Sequence, residues 1–305
     1  MSSQDIQKDR GYWYEAWREI RSDHIAMFGL ALVVLLIVLA VFAPLLAPAS
    51  PTMQSVDGLS DMGDPLPPGS PGFILGSDGL GRDVLSRVMY GASISLAVGV
   101  LANLIAAVLG TALGGMAGLI GGRLASWLMR VADVIVSFPV LLLAMAILSV
   151  LASPGVIAIA AVIGVNFSGY IARLVFGQVT LLREREFIVA VKAVGGGNLY
   201  ILLRHILPHV LPSVIVFTTL GAATAIQLEA ALSYVGLGIR PPTASWGNMI
   251  SDGQAYLFTS PWLVLVPGAA IFISMIGFSL LGDGLRDALD PTLERRSIRT
   301  VMGMR

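Results

Sequence analysis

Cysteine is absent from the 305 residues, which excludes disulfides and thiolate metal sites. Charge is scarce as well: 12% of the residues are Asp, Glu, Lys or Arg, against about 25% in a soluble domain. A soluble fold of this length could not cover its surface with so few charges. The 19 basic and 19 acidic residues cancel, so there is no net basic field of the kind that attracts nucleic acid. A phosphate-cradling G-x-x-x-x-G-K-[ST] is also missing. The triple glycine 195–197 leads into Asn198, Leu199 and Tyr200, not into Lys and Ser/Thr. No His/Glu/Asp cluster of the kind an embedded enzyme needs is visible.

Apolar side chains fill the space that charge leaves: 56% of residues are hydrophobic and the mean hydropathy is +0.83. The chain reads as an all-α polytopic membrane protein. Gaps between charges locate its spans, because a charged side chain at the bilayer centre costs about 2.5–3.5 kcal/mol on insertion scales. The gaps are Ile25 to Leu46, Val88 to Gly122, Val134 to Ala172, His205 to Leu228 and Gly253 to Gly282. The third, 39 residues long, would reach about 58 Å as a helix, roughly twice a bilayer, so it holds two spans broken at Ser153-Pro154-Gly155. Six transmembrane helices result. The first apolar run has 22 residues, longer than the 7–15 or so of a signal peptide, and reads as a span despite the cleavable-looking APAS at 47–50.

Six spans place both termini on one side. With the N-terminus inside, every one of the 19 Lys and Arg residues except Arg82, Arg87 and Arg240 falls in an inside segment. That asymmetry predicts cytoplasmic termini. The expected organisation is a cytoplasmic amphipathic tail (1–24), a first transmembrane helix (25–47) and a periplasmic segment (48–90). A core with five transmembrane helices (91–282) and a cytoplasmic tail (283–305) follow. In the first tail Trp13, Tyr14, Trp17 and Ile20 recur at helical spacing, as in a helix lying on membrane lipid or docking on a partner, which the pattern does not separate. Prolines at 48, 51, 65, 67, 68 and 71 make the periplasmic segment irregular, and a second outside segment, 236–252, is broken by Gly and Pro in the same way.

Several smaller patterns carry weaker messages. Gly114 and Gly118 form a G-x-x-x-G step, and the small residues around Gly110 to Gly118 call for a close partner helix. Asp133 pairs with Arg130 at i, i+3. His205 and His209 have metal-pair spacing, but Pro208 lies between them and no acidic third ligand is near, so no metal site is expected. SDGLGRD at 77–83 reads as a structured turn, since it lacks the alternating acids of a calcium loop. Glu229, late in the fifth span, is either a substrate-path residue or a side chain reaching outer water.

Residues 186–212, EFIVAVKAVGGGNLYILLRHILPHVLP, are charged, glycine-broken and far longer than a link between two spans requires. Glu186 to Val194 suits a short helix with Phe187, Ala190, Val191 and Val194 on an apolar face. The glycines would end it, Asn198 would cap the next helix, and Pro208 and Pro212 would mark the return to the bilayer.

LGSDGLGRDVLSRVMYGASISLAVG (75–99), LSYVGLGIRPPTASWGNMI (232–250), GFSLLGDGLRDALDP (277–291) and this loop together resemble the C-type permease subunits of peptide/nickel ABC importers. The loop is similar to the family's EAA…G…LP coupling element, with Ala190 on the first alanine, Gly195 on the glycine and Leu207-Pro208 on the terminal pair. Val189 and Val191 stand where that element has its glutamate and second alanine. The resemblance implies a type I ABC importer permease fold in a bacterial inner membrane and a non-catalytic subunit forming half of a translocation path. It implies a coupling loop at 183–208 in which Glu186, Phe187, Ala190, Ala193, Gly195, Leu207 and Pro208 meet an ATPase. Partners would be a homologous second permease, two cytoplasmic ATPases that bind ATP and Mg, and an outside substrate-binding protein. Di- or oligopeptides are the expected cargo, with nickel chelates, glutathione or another small solute as alternatives. An autonomous secondary transporter is the rival class, but it needs charged relays at the midplane, and Glu229 is the one clear candidate.

Overall fold

The computed structural model describes residues 12–151 and 153–289, and within them the chain is helical apart from isolated bridges and turns. The helices are α1 (Tyr12–Ser22), α2 (His24–Val41), α3 (Ala43–Leu46), α4 (Val84–Ile120), α5 (Gly122–Ser137), α6 (Val140–Leu148), α7 (Val156–Leu182), α8 (Glu186–Ala193), α9 (Asn198–Ile201), α10 (Leu207–Tyr234), α11 (Trp246–Gly253) and α12 (Trp262–Ala288). Five helical runs are long and apolar enough to cross a membrane, and a sixth span results if α5 and α6 are taken as one unit bent by 82°. The arginine-rich end of the C-terminal tail, Asp290 and Pro291, and the start of the N-terminal tail lie outside the described residues.

The charge pattern, which marks only the limits of the uncharged run, does not anticipate the bend between α5 and α6. Its cause is local: Pro139 disfavours helical angles at the preceding residue, and Phe138 is extended at φ −84°, ψ 129°. The expected break at 153–155 is present, with Gly155 leading into α7. The helix containing the fifth span starts at Asn198, upstream of His205, and passes through a wide turn at Leu202–Ile206. There the Leu207 N–H bonds to Leu202 O, five residues back. Pro208 lacks an N–H and its ring crowds the carbonyl four residues earlier, which explains this local opening. Asn198 does not cap that run; Gly197 occupies the cap position and Asn198 is the first helical residue. Gly253 ends α11 and residues 254–261 connect it to the last helix, so α12 begins at Trp262 and not at Gly253.

The core lies between α4 and α7. A Cβ placed on Gly114 would come 2.2 Å from the Ala172 carbonyl oxygen, and one on Gly110 or Gly118 would come 2.6 Å from Ile171 or Val179. The close partner expected for this glycine face is therefore α7 of the same chain, not a helix of another subunit. Sequence spacing shows that such a face needs a neighbour but not which one. Val98, Ala102, Ile159, Ile163, Ile171 and Val175 fill the remaining space, all at most 1% exposed. On the other side α12 packs on α2 with Gly29 against Leu280 and Gly284 against Ala26. The first helix, α1, buries Ala16 and Ile20 and leaves the Trp13, Tyr14 and Trp17 rings exposed, with the Arg21 guanidinium over the Trp17 ring at 5.3 Å.

Candidate functional site

The segment after α7 folds into a compact elbow. α8 runs from Glu186 to Ala193, and its end is closed by two hydrogen bonds, Gly195 N–H to Lys192 O at 3.0 Å and Gly196 N–H to Val191 O at 2.9 Å. That pair is the Schellman arrangement, and it requires a left-handed residue at Gly195, whose φ is +89°. Nothing lies within 4 Å of a Cβ built on Gly195, so backbone conformation alone demands glycine there. The chain then reverses into α9 and α10.

One side of the elbow is anchored and the other is bare. Ile188 is fully buried in the core with Ile201 and Ile206, and the Phe187 ring stacks on His209 with centroids 5.8 Å apart. Arg183 donates from Nη1 to Gly118 O at 2.9 Å, tying the elbow to the far end of α4. Facing outward are Glu186, Phe187, Val189, Ala190, Ala193 and Val194, together with Leu199, Tyr200 and Leu203 on the returning arm. Val194, beside the glycine reversal, is 86% exposed. Of the expected loop residues, Leu207 is half-buried and Pro208 exposed, so the structure gathers Glu186, Phe187, Ala190 and Ala193 on α8, sets Gly195 at its closing turn and places Leu207-Pro208 at the start of α10. The expected apolar face differs in one respect: Ile188, not Val191, is the fully buried residue of α8, and it joins the core cluster that also holds Ile201 and Ile206.

Glu229 lies near the other end of α10 and is completely buried. Ser95 Oγ on α4 donates to Oε2 at 2.7 Å and Ser233 Oγ donates to Oε1 at 2.7 Å. Ser233 Oγ in turn accepts the Ile239 N–H at 3.1 Å, which fixes the start of the 236–252 segment. Both carboxylate oxygens are thus engaged and neither reaches water in this form. Asn248 completes that region by donating from Nδ2 to Ile239 O and Thr243 O, while Ser245 and Asn248 form a reciprocal cap on α11.

Two charge groupings were hidden in the sequence. Asp133 pairs with Arg173 of α7, whose Nε donates to Oδ1 at 2.8 Å, and not with Arg130. Arg173 brings both Nε and Nη2 to the same Oδ1, a charge-assisted contact with two donors. The SDGLGRD turn is structured as expected, with Asp78 Oδ1 accepting from the N–H groups of Leu80 and Arg82. Its arginine, together with Arg87, is buried and not a free outside charge. The missing signal was Asp252, 165 residues from Arg87 in sequence yet 3.3 Å from it in space.

The comparisons agree with this architecture. Residues 110–295 match the family described as binding-protein-dependent transport system inner membrane component. Residues 11–68 match the N-terminal TM domain of oligopeptide transport permease C. The glutathione transport system permease protein GsiD of Escherichia coli strain 536 is 41% identical over 283 residues, covering 92% of this chain and 91% of that protein. The dipeptide transport system permease protein DppC of Alkalihalophilus pseudofirmus is 40% identical over 282 residues, covering 92% and 90%. A solved structure of the MetNI methionine ABC transporter in an inward-facing conformation shares the fold, with TM-score 0.54 and 20% identity over 67% of this chain and 96% of that one.

Proposed function

The chain belongs to the inner membrane components of binding-protein-dependent transport systems, and from that membership we propose that it is the permease subunit of an ATP-driven importer of short peptides. It is a multi-pass membrane protein and a transport subunit. In this reading its amino terminus, the elbow at 183–208 and its carboxyl terminus face the cytoplasm, and 48–90 and 236–252 face outward. A homologous permease would complete the translocation path, two ATPases would bind ATP and Mg, and a binding protein outside would deliver cargo.

The elbow is the observation that carries this proposal. An exposed apolar helix held from behind by Ile188 and the Phe187–His209 stack suits a groove on another protein, and its Schellman-closed end resists flexing. Pushed by an ATPase, a rigid elbow continuous with α10 can transmit displacement into the bundle; a slack loop would absorb it. Glu186, Phe187, Ala190, Ala193 and Gly195 would form the contact, with Leu207 and Pro208 at the pivot. Glu229 we assign to the outer end of the path through the segment it holds, since its own oxygens are occupied.

Short peptides are favoured because the similar chains include a dipeptide permease, and glutathione, itself a tripeptide, is the second reading for the same reason. The deciding experiment reconstitutes the chain with its co-expressed permease, ATPases and binding protein in liposomes. ATP-dependent uptake of a dipeptide or of glutathione is expected, and preference between them settles the cargo. Uptake driven by an ion gradient without ATPases would overturn the proposal.

A further inference from the structure

The first helix, α1, leaves three aromatic rings uncovered. Trp13 is 51% exposed, Tyr14 55% and Trp17 43%, while α1 packs on α12 and α2 and buries Ala16 and Ile20. At about 100° per residue its side chains fall into three flanks around the helix. Ala16 and Ile20 form the buried flank. Trp13, Trp17 and Tyr14, with Arg21 among them, form the next, and Arg18, Ser22, Glu15 and Glu19 form the third. A helix lying along a bilayer beside its own spans needs this order, with protein at its side, lipid beneath it and water above it.

The junction with α2 fixes where α1 lies. Asp23 alone separates it from α2, a span of 18 residues that holds no Asp, Glu, Lys or Arg. Asp23 is extended at φ −88°, ψ 106° and caps α2 by accepting the Ile25 N–H at 2.8 Å, so α1 stops at the membrane boundary and does not prolong the span. The start of α2 exposes Ile25 at 63% and Phe28 at 58%, so exposed apolar side chains stand on both sides of the break.

Chemistry separates a lipid leaflet from a protein partner. Glu15 and Glu19 offset Arg18 and Arg21, which leaves α1 without a net charge to pair with a complementary patch. Trp and Tyr each join an apolar ring to one polar group, the combination suited to the headgroup boundary. The Arg21 guanidinium lies 5.3 Å from the centroid of the Trp17 ring, at the ring's own level, from which its donors reach lipid phosphate.

We propose that the Trp13, Tyr14 and Trp17 flank is a membrane-docking surface whose occupant is the phospholipid leaflet on the elbow's side of the bundle, with the rings at headgroup level and Arg18, Glu19 and Ser22 in water. Helical spacing alone leaves a protein partner open; the order of the flanks and the junction with α2 decide for lipid. The proposal rests on the chain spanning a membrane and not on the importer reading.

The test reconstitutes the whole assembly, with cysteine-free partner subunits, in phosphatidylcholine vesicles, a neutral lipid being sufficient for a helix without net charge. Because the chain has no cysteine, Tyr14→Cys, Trp17→Cys, Arg18→Cys and Ser22→Cys each carry a single nitroxide label. Collisions of the label with oxygen, which concentrates in the bilayer, are compared with collisions with a water-soluble nickel chelate present on both sides of the membrane. The ratio of oxygen to nickel should be severalfold higher at positions 14 and 17 than at 18 and 22. An equal ratio at all four positions would place the flank in water, and exclusion of both probes from position 14 or 17 would mean that protein covers it; either result overturns the proposal. Trp13→Cys replaces a ring variant that does not assemble. Failure of all three ring variants to assemble in detergent, before any lipid is added, would assign the rings to protein contacts and overturn it as well. ATP-driven uptake by the same vesicles reports on the importer reading separately.

Discussion

The ring of Phe187 lies against that of His209, 5.8 Å between centroids and 24° from parallel, so the first turn of α8 is fastened to the first turn of α10 across the glycine reversal. That contact and the buried Ile188 make the elbow one body with the long helix. Its shape then depends on Gly195, the left-handed residue at the reversal. Gly195→Ala should cost about 1–2 kcal/mol of local conformational energy with no clash, since no atom lies within 4 Å of the added carbon. The expected outcome is a normally inserted subunit whose ATP-driven uptake falls severalfold, checked by measuring uptake, copurified ATPase and expression in one preparation. Wild-type uptake would remove the elbow from the coupling route.

Gly114 predicts a failure of a different kind. A side chain there would run into the Ala172 carbonyl, and backbone on α7 has nowhere to move without opening the core around Ile171. Gly114→Val should destabilise the chain by about 1–3 kcal/mol or more, seen as loss of folded protein in detergent, while uptake per folded assembly changes less. A stable variant with selectively lost subunit pairing would mean that the glycine face serves another chain after all.

Legibility in the sequence followed the range of the interactions. Spans were readable because bilayer cost acts on each residue alone, and the Gly195 reversal was readable because it is local to a few residues. The 82° bend at Phe138–Pro139 hid inside an uncharged run, where Pro139 was visible but its effect on the path of the helix was not. Charge partners from afar were not legible: Asp133 pairs with Arg173 instead of the expected Arg130, and Arg87, for which the sequence offered no partner, meets Asp252, over separations that no periodicity encodes. Glu229 stood out as a lone acid, whereas its partners Ser95 and Ser233 looked like ordinary small residues of a span.

Glu229 can be tested by isostere. Glu229→Gln keeps a carbonyl oxygen for one hydroxyl and places an amide against the other, which can turn to accept it. Glu229→Ala leaves Ser95 and Ser233 without their acceptor in a sealed site. Loss of a charged acceptor predicts a drop of about 1.5–3 kcal/mol for the alanine variant and a smaller one for glutamine, read as thermal melting of the purified assembly. If both variants melt like wild type while uptake collapses, Glu229 acts on the cargo and not on the outer segment.

Absence of cysteine makes the topology directly testable, because a single introduced thiol is the only one in the chain. Met62 and Val194 are suitable positions, 90% and 86% exposed, one in the irregular segment before α4 and one at the tip of the elbow. All but three of the 19 basic residues fall on the elbow's side in the inferred orientation, so Met62→Cys should react with a membrane-impermeant thiol reagent in intact cells. Val194→Cys should stay unlabelled until the inner membrane is breached. In breached membranes its labelling should fall again when the ATPases are bound and rise when they are stripped, since the same side chain lies on the face assigned to docking. Labelling of Val194→Cys in intact cells with Met62→Cys protected would reverse the orientation, and labelling indifferent to the ATPases would place their contact elsewhere.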